Sequence, residues 1–259
     1  MNHCLLALIM AAFSASSFAS VLTIHLPNEK KVLEYNQPER LEKIFTDIIN
    51  QQKNVEIAYN GQNGPLTALL GYPLNNMLFN QDKESEVEKR KQTLLQRLSA
   101  YTHVHPKSKA SIALLEQQIN RWDVGYREFI NLDYDAIRIT PQNNPQLKGN
   151  FELITPKRPK TIHIEGLLFV PVTKPFIGGL TVADYLKQTT LLSSANSSNV
   201  WVIYPDGHTK KVGYAYWNDE QTILAPGSII FVGFNRPNAQ LLDFESEIVS
   251  LLQSRKGFL

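Results

Sequence analysis

Cysteine is almost missing from this chain: among 259 residues only Cys4 carries a thiol. Cys4 stands ahead of an apolar run, so it is not placed as a lipoprotein anchor, which would follow that run. Once a leader containing it is removed, no disulfide, thiolate nucleophile or cysteine-based metal site remains. A surplus of one charge is missing as well, with 26 Lys and Arg against 24 Asp and Glu. A dedicated nucleic-acid binder needs a basic excess to neutralise phosphates, so that class is set aside. Charged residues make up only 19% and apolar ones 43%. Disordered chains combine low hydrophobicity with high net charge, so this one is globular. Long apolar runs are also lacking: the longest, residues 5–19, falls short of the ~20 residues that span a bilayer.

That run, LLALIMAAFSASSFA, is uncharged and ends in Ser17-Phe18-Ala19, a small-x-small pattern. It reads as a signal peptide (residues 1–19) cut after Ala19, which sends the rest to the periplasm. A buried N-terminal helix is the alternative. The β-like run Val21-Leu22-Thr23-Ile24-His25-Leu26 begins at once and favours the signal. The chain beyond Ala19 is long enough for one large domain or two modest ones, at ~100–200 residues each.

Periodicity divides this mature portion. Leu41, Ile44, Phe45, Ile48 and Ile49 recur three and four apart, which predicts a helix over 38–50 with Pro38 in its first turn. Val55-Glu56-Ile57-Ala58-Tyr59 alternates like a strand and stops at the turn pair Asn60-Gly61. Residues 82–122 carry two apolar stripes, Val87-Leu94-Leu95-Leu98-Tyr101 and Ile112-Leu115-Ile119-Trp122, separated by His105-Pro106. They predict a helical hairpin, with Asp82 as its cap. Strands are expected at Tyr126–Asn131, Ala136–Ile139, Phe151–Ile154 and Thr161–Val170. Pro156-Lys157-Arg158-Pro159 marks a boundary between a first unit, 20–157, and a second, 158–237. In the second, a helix at 181–188 capped by Thr181 precedes strands at 199–204, 209–217 and 228–234. Pro205-Asp206-Gly207 forms a hairpin turn between the first two of these. Residues 238–259 hold an amphipathic helix with Leu241, Phe244 or Glu245, Ile248, Leu251 and Leu252 on its apolar face. Its acidic residues Asp243, Glu245 and Glu247 argue against a lipid surface and for packing on the protein itself.

One ordered set of residues resembles a known family. Ile162-x-Ile164-x-Gly166, Gly179-x-Thr181-x-Ala183-x-Tyr185-Leu186 and the Pro205-Asp206-Gly207 turn resemble the soluble-ligand-binding β-grasp domain of polysaccharide-export proteins. A wider set is similar to the GfcC-type capsule biosynthesis proteins. It runs through Gly125-x-Arg127, Leu132-Asp133, Arg138, Asn144-Pro145-x-Leu147, Arg158-Pro159, Val200-Trp201-Val202-Ile203-x-Pro205-Asp206-Gly207, Trp217-Asn218 and Ala225-Pro226-Gly227. The resemblance implies an α+β fold of tandem β-grasp domains, a helical-hairpin insertion in the first, and a C-terminal amphipathic helix. It further implies a non-enzymatic periplasmic accessory of capsule or O-antigen-capsule export. Its partner would be the capsular polysaccharide or a Wza-like outer-membrane exporter. A groove arginine of the family falls on Arg127; the Gly125-Tyr126-Arg127 spacing departs by one residue from the Gly-Arg pair expected there.

The residues themselves give several candidates. Arg127 offers a fork of donors suited to sugar hydroxyls or uronates, or to a surface ion pair with Asp123 or Glu128. On an extended strand Arg127, Phe129 and Asn131 share one face. Asp133 and Asp135 would face together on a strand, as an acid and base for glycoside cleavage require. The competing expectation is a turn in which Asp bonds its own backbone. A periplasmic hydrolase or lyase built on Asp133, Asp135 and Arg127 is the alternative function. Tyr214, Tyr216 and Trp217 offer flat rings for stacking or for the core. The groove candidates are Arg127, Tyr126, Asp133, Arg138 and Trp217, with no catalytic residue, metal or cofactor expected and a monomer as the oligomeric state. His103-x-His105 lacks a third zinc ligand. His163 and His208 fall in an expected strand and turn, Ser193-Ser194 has no nucleophile elbow, and Gly178-Gly179 lacks a phosphate-loop lysine.

Overall fold

The computed structural model describes residues 21–58 and 66–257. The expected signal peptide and the Asn60-Gly61 turn lie outside these described residues. The chain opens with β1 (Leu22–Leu26), β2 (Lys31–Tyr35), β3 (Glu39–Arg40), α1 (Leu41–Ala58), α2 (Leu66–Gly71) and β4 (Met77–Asn80). It continues through α3 (Glu84–Val104), α4 (Lys109–Arg121), β5 (Arg127–Glu128), α5 (Tyr134–Ile139), β6 (Gln146–Leu147) and β7 (Gly149–Ile154). Then come β8 (Thr161–Gly166), β9 (Val172–Pro175), α6 (Val182–Leu186), β10 (Asn199–Ile203), β11 (Thr209–Gly213), β12 (Ile229–Val232) and α7 (Ala239–Gln253).

These elements make an α+β fold with two five-stranded sheets, ordered β2-β1-β7-β4-β5 and β9-β8-β12-β10-β11. The two share one connectivity. An antiparallel hairpin comes first, then a helix, then an antiparallel pair. A last strand runs parallel to the first and sits between it and that pair. They differ where the pair is joined. In the second sheet Pro205-Asp206-Gly207 turns β10 into β11, with Gly207 at a φ of 88° that only glycine adopts at little cost. In the first, the whole α3–α4 hairpin separates β4 from β5.

Helix α1 buries Leu41, Ile44, Phe45 and Ile48 against Leu22, Ile24, Leu78 and Leu153 of the first sheet. Its start is not set by Pro38. Asn144, far along the chain, caps it, its Oδ1 accepting from Glu42 N at 3.0 Å and its amide donating to Glu42 Oε2 at 3.1 Å. The α3–α4 hairpin is inserted in the first sheet's path but contributes to the other core. Leu94, Leu98, Ile112, Leu115 and Ile119 pack with Ile164, Val202, Ile230 and Phe231 of the second sheet. Gln118 ties the two together, accepting from Gly166 N at 2.9 Å and donating to Gly166 O at 2.8 Å.

Helix α7 packs on the same core with Phe244, Ile248 and Leu252, its first turn capped by Asn238. Arg97 of α3 clamps both Asp243 and Glu247. Buried Glu245 accepts from Phe234 N at 2.7 Å and from Trp201 Nε1 at 3.3 Å. The tail after α7 fastens both sheets. Arg255 pairs with Glu165 at 2.8 Å, and Lys256 pairs with Glu152 at 2.9 Å and Glu84 at 2.6 Å.

Several local expectations are corrected. Val55–Ala58 continue α1 instead of forming a strand. Ala136–Ile139 belong to helix α5, because Asp133 caps a helical turn at that point. Tyr126–Asn131 narrows to the two-residue β5. Thr161–Val170 stops at Gly166, whose φ of 107° ends the strand. The strand over 209–217 stops at Gly213, where Asn218 and Glu220 fold back onto residues 213–215. Asp82 does not cap α3; it accepts from Asn150 N at 2.9 Å and its amide at 2.7 Å. His103 lies in the last turn of α3, so His103-x-His105 is not an extended pair.

Candidate functional site

A concavity of about 840 Å³ lies at the seam where the two sheets meet. One wall is the Tyr72–Asn76 turn before β4. The floor is β5 with its continuation through Asn131, Leu132 and Asp133 into α5. The opposite wall is Asp206-Gly207-His208-Thr209, closed by Gln253 at the end of α7. No neighbouring stretch of sequence holds all of it.

Arg127 holds this seam. Its side chain is buried, and Nη2 donates to Pro205 O at 2.6 Å while Nη1 donates to Gln253 O at 3.1 Å. Gln253 in turn donates to Gly207 O at 2.7 Å. Burial pulls the guanidinium down to about 10, with Asp206 partly opposing the shift. It stays a cation at neutral pH, and its two bonds satisfy main-chain carbonyls of the second sheet's turn and of α7. Tyr72 adds a further tie, its hydroxyl donating to Pro226 O at 3.4 Å and its ring lying 5.3 Å from the Arg158 guanidinium.

Asp133 also lines the groove, but its Oδ1 accepts from Asp135 N at 2.9 Å and Ala136 N at 3.1 Å. It is the N-cap of α5, the turn role weighed against catalysis. Asp135 is 86% exposed and within 3.8 Å of Arg138, on the helix's outer side. Asp133→Ala should cost about 1 kcal/mol through the lost cap, and Asp133→Asn much less. Urea midpoints of the two variants check this, and equal losses would refute the cap.

Of the five candidates, Arg127 and Asp133 come together. Tyr126 packs against the hairpin core with the Lys83 ammonium 4.6 Å from its ring. Arg138 lies over Tyr134 at 5.5 Å, away from the groove. Trp217 is 73% exposed in the turn beyond β11. Tyr214 donates to Asn196 O at 2.7 Å and Tyr216 is fully exposed, so the two do not share a strand face. The groove also holds Phe129, Tyr72, Asp206, His208 and Gln253, which the sequence patterns did not single out as groove residues. The Pro-Asp-Gly turn was the available signal for Asp206 and His208; for Tyr72 and Gln253 there was none. Among the described residues no group of three or more His, Cys, Asp or Glu is placed to hold a metal, and no helix is long and apolar enough to cross a membrane.

Behind Arg127 lies a second cavity of about 410 Å³, which His163 lines. Burial, and then the Arg255 charge, push His163 down to about 4. The Thr161 and Thr173 hydroxyls sit 3.2 Å from its two ring nitrogens. In the unfolded chain a histidine titrates near 6.5. The unfolded state therefore binds more protons between about 4 and about 6.5. Stability from this group is full above that window and is lost as pH falls through it. His163→Gln should flatten the slope there by up to about 1.4 kcal/mol per pH unit. Urea midpoints across the window measure it, and an unchanged slope would count against the assignment.

Comparison with known proteins adds to this geometry. Residues 70–158 match the family model described as "Capsule biosynthesis GfcC, N-terminal", and residues 170–256 match "Capsule biosynthesis GfcC C-terminal". The groove draws its walls from both matched segments. The chain is also 45% identical over 124 residues to the "Uncharacterized protein YjbG" of Escherichia coli (strain K12), a stretch covering 48% of this chain and 51% of that protein. The match thus spans about half the length of that curated relative. With both halves of the family pattern present in order across most of its length, the chain belongs to the GfcC capsule-biosynthesis family.

Proposed function

We infer that this is a non-enzymatic periplasmic accessory of capsule or surface-polysaccharide export, and that it binds a glycan in the seam groove. The observation that carries this reading is the groove itself. It is an open trough roomy enough for a sugar chain, walled by rings, hydroxyls and carboxylates, in a member of a capsule-biosynthesis family. The Asp133 carboxylate that a hydrolase would need is committed to a helix cap. The shared connectivity of the two sheets supports reading them as tandem β-grasp domains divided near Pro156–Pro159. The leader-like residues 5–19 support export to the periplasm. A Wza-like exporter is the protein partner expected from the family resemblance.

Deleting the gene and measuring displayed surface polymer tests the pathway; wild-type display in the deletion strain would end the proposal. Incubating the purified protein with that polymer should release no new reducing ends, and their appearance would favour the hydrolase. N-terminal sequencing of protein from osmotic-shock fluid should begin at Ser20.

A further inference from the structure

We propose that Phe129 is a stacking platform for an uncharged pyranose segment, and that the carboxylate-rich lining of the groove turns uronic acids away. This rests on the reading of the seam groove as a glycan site and adds the contact residue and the charge class.

The ring is both exposed and held. Phe129 is 57% exposed in the groove floor. An exposed phenyl ring forgoes ~1.5–3 kcal/mol of possible burial, so a fixed one in a cavity is a ready apolar surface. Its position is set from one side by Gly207, where an added Cβ would fall 2.6 Å from the ring. The Arg127 guanidinium stands 5.6 Å from its centroid. The remaining ring surface is open to the trough, and a flat apolar face with polar groups around it suits the C–H face of a sugar. Asn131, His208 and Thr209 line the same space and offer hydroxyl partners.

Charge sets the class. Three acidic residues, Glu128, Asp133 and Asp206, line the groove against one arginine, Arg127, and one histidine, His208; Glu128 also accepts from the Asn80 amide at 3.2 Å. Arg127 is buried and its donors are taken by two carbonyls, so it keeps its charge but is not free to form a bidentate pair with a uronate. A uronate brought here would meet a lining with more carboxylates than cations in a partly desolvated trough, where like charges repel more strongly than in water. Hydroxyls, by contrast, donate well to carboxylates.

The test uses one polymer in two charge states. Surface polysaccharide from the producing strain is fully carboxyl-reduced, and a portion is then oxidised at its primary alcohols to uronates. Oligosaccharides of both forms are titrated calorimetrically into the full exported chain. The reduced form should bind. Phe129→Ala should weaken it at least tenfold with an unchanged melting temperature, and Phe129→Trp should retain it. The oxidised form should bind at least tenfold more weakly, with the gap narrowing at high salt. Wild-type affinity in Phe129→Ala, or equal or tighter binding of the oxidised form, overturns this inference while leaving the groove a glycan site. Failure of the wild-type protein to bind either form overturns the glycan reading beneath it.

Discussion

Gly166→Ala should destabilise the protein by about 3–5 kcal/mol, a large part of the ~5–15 kcal/mol of a typical native state. Gly166 ends β8 at a φ of 107°, a conformation that costs residues bearing a Cβ about 1–3 kcal/mol. Space is lacking too. A Cβ would lie 2.3 Å from Val232 O and 2.9 Å from two carbons of the Phe231 ring. Val232 is the residue's partner in the central parallel ladder, so the strand cannot move aside without opening β8 from β12. The bonds from Gln118 to both main-chain atoms of Gly166 would shift with it, loosening the helical hairpin from the sheet. At roughly 2–4 °C per kcal/mol for a chain of this size, the melting temperature should fall by about 6–20 °C. A melting curve within a couple of degrees of wild type would show that the sheet and hairpin tolerate a side chain there.

Arg127→Met should cost about 2–4 kcal/mol, from two charge-assisted bonds lost and two carbonyls left without a donor, offset by release from burying a cation. The carbonyls belong to Pro205 and Gln253, one in the second sheet's turn and one in α7. The loss should therefore appear as separation of the two halves, read as faster hydrogen exchange at Gly207 and in the last turn of α7. Arg127→Lys should rescue little, because an ammonium is a point donor and cannot reproduce a planar fork that spans two acceptors. An arginine whose only task is to touch ligand would behave differently, losing affinity while urea stability stayed at wild type. That result would remove Arg127 from the seam.

The same two residues show why a motif can be read correctly without its job being read. Gly166, Arg127, Asn144 and the Pro205-Asp206-Gly207 turn all belong to the ordered set that resembles the family. In the structure each holds one part of the chain against another: Asn144 caps α1, Arg127 grips the turn, and Gly166 admits Gln118 and Val232. Arg138 and Trp217 belong to that set as well, yet both lie on outer faces away from the groove. Spacing along the chain signals that a residue is special; it does not say which distant atom the residue meets.

The sequence by itself determined what depends on neighbours three, four or two residues away. The stripes of α1, α3, α4 and α7, the Thr181 cap and the Pro-Asp-Gly turn were all legible for that reason, and the structure completes that cap into a capping box with Asp184. It failed where short runs carry two periodicities at once. Ala136–Ile139 alternates like a strand, yet Asp133 starts a helix there. Tertiary structure alone decided that the hairpin inserted in the first sheet's path completes the second sheet's core. It alone gathered Tyr72, Phe129, Asp206 and Gln253 around one trough. Apolar burial is non-directional, so a stripe says that a face must be covered and leaves the covering surface to whichever long-range packing excludes the most water.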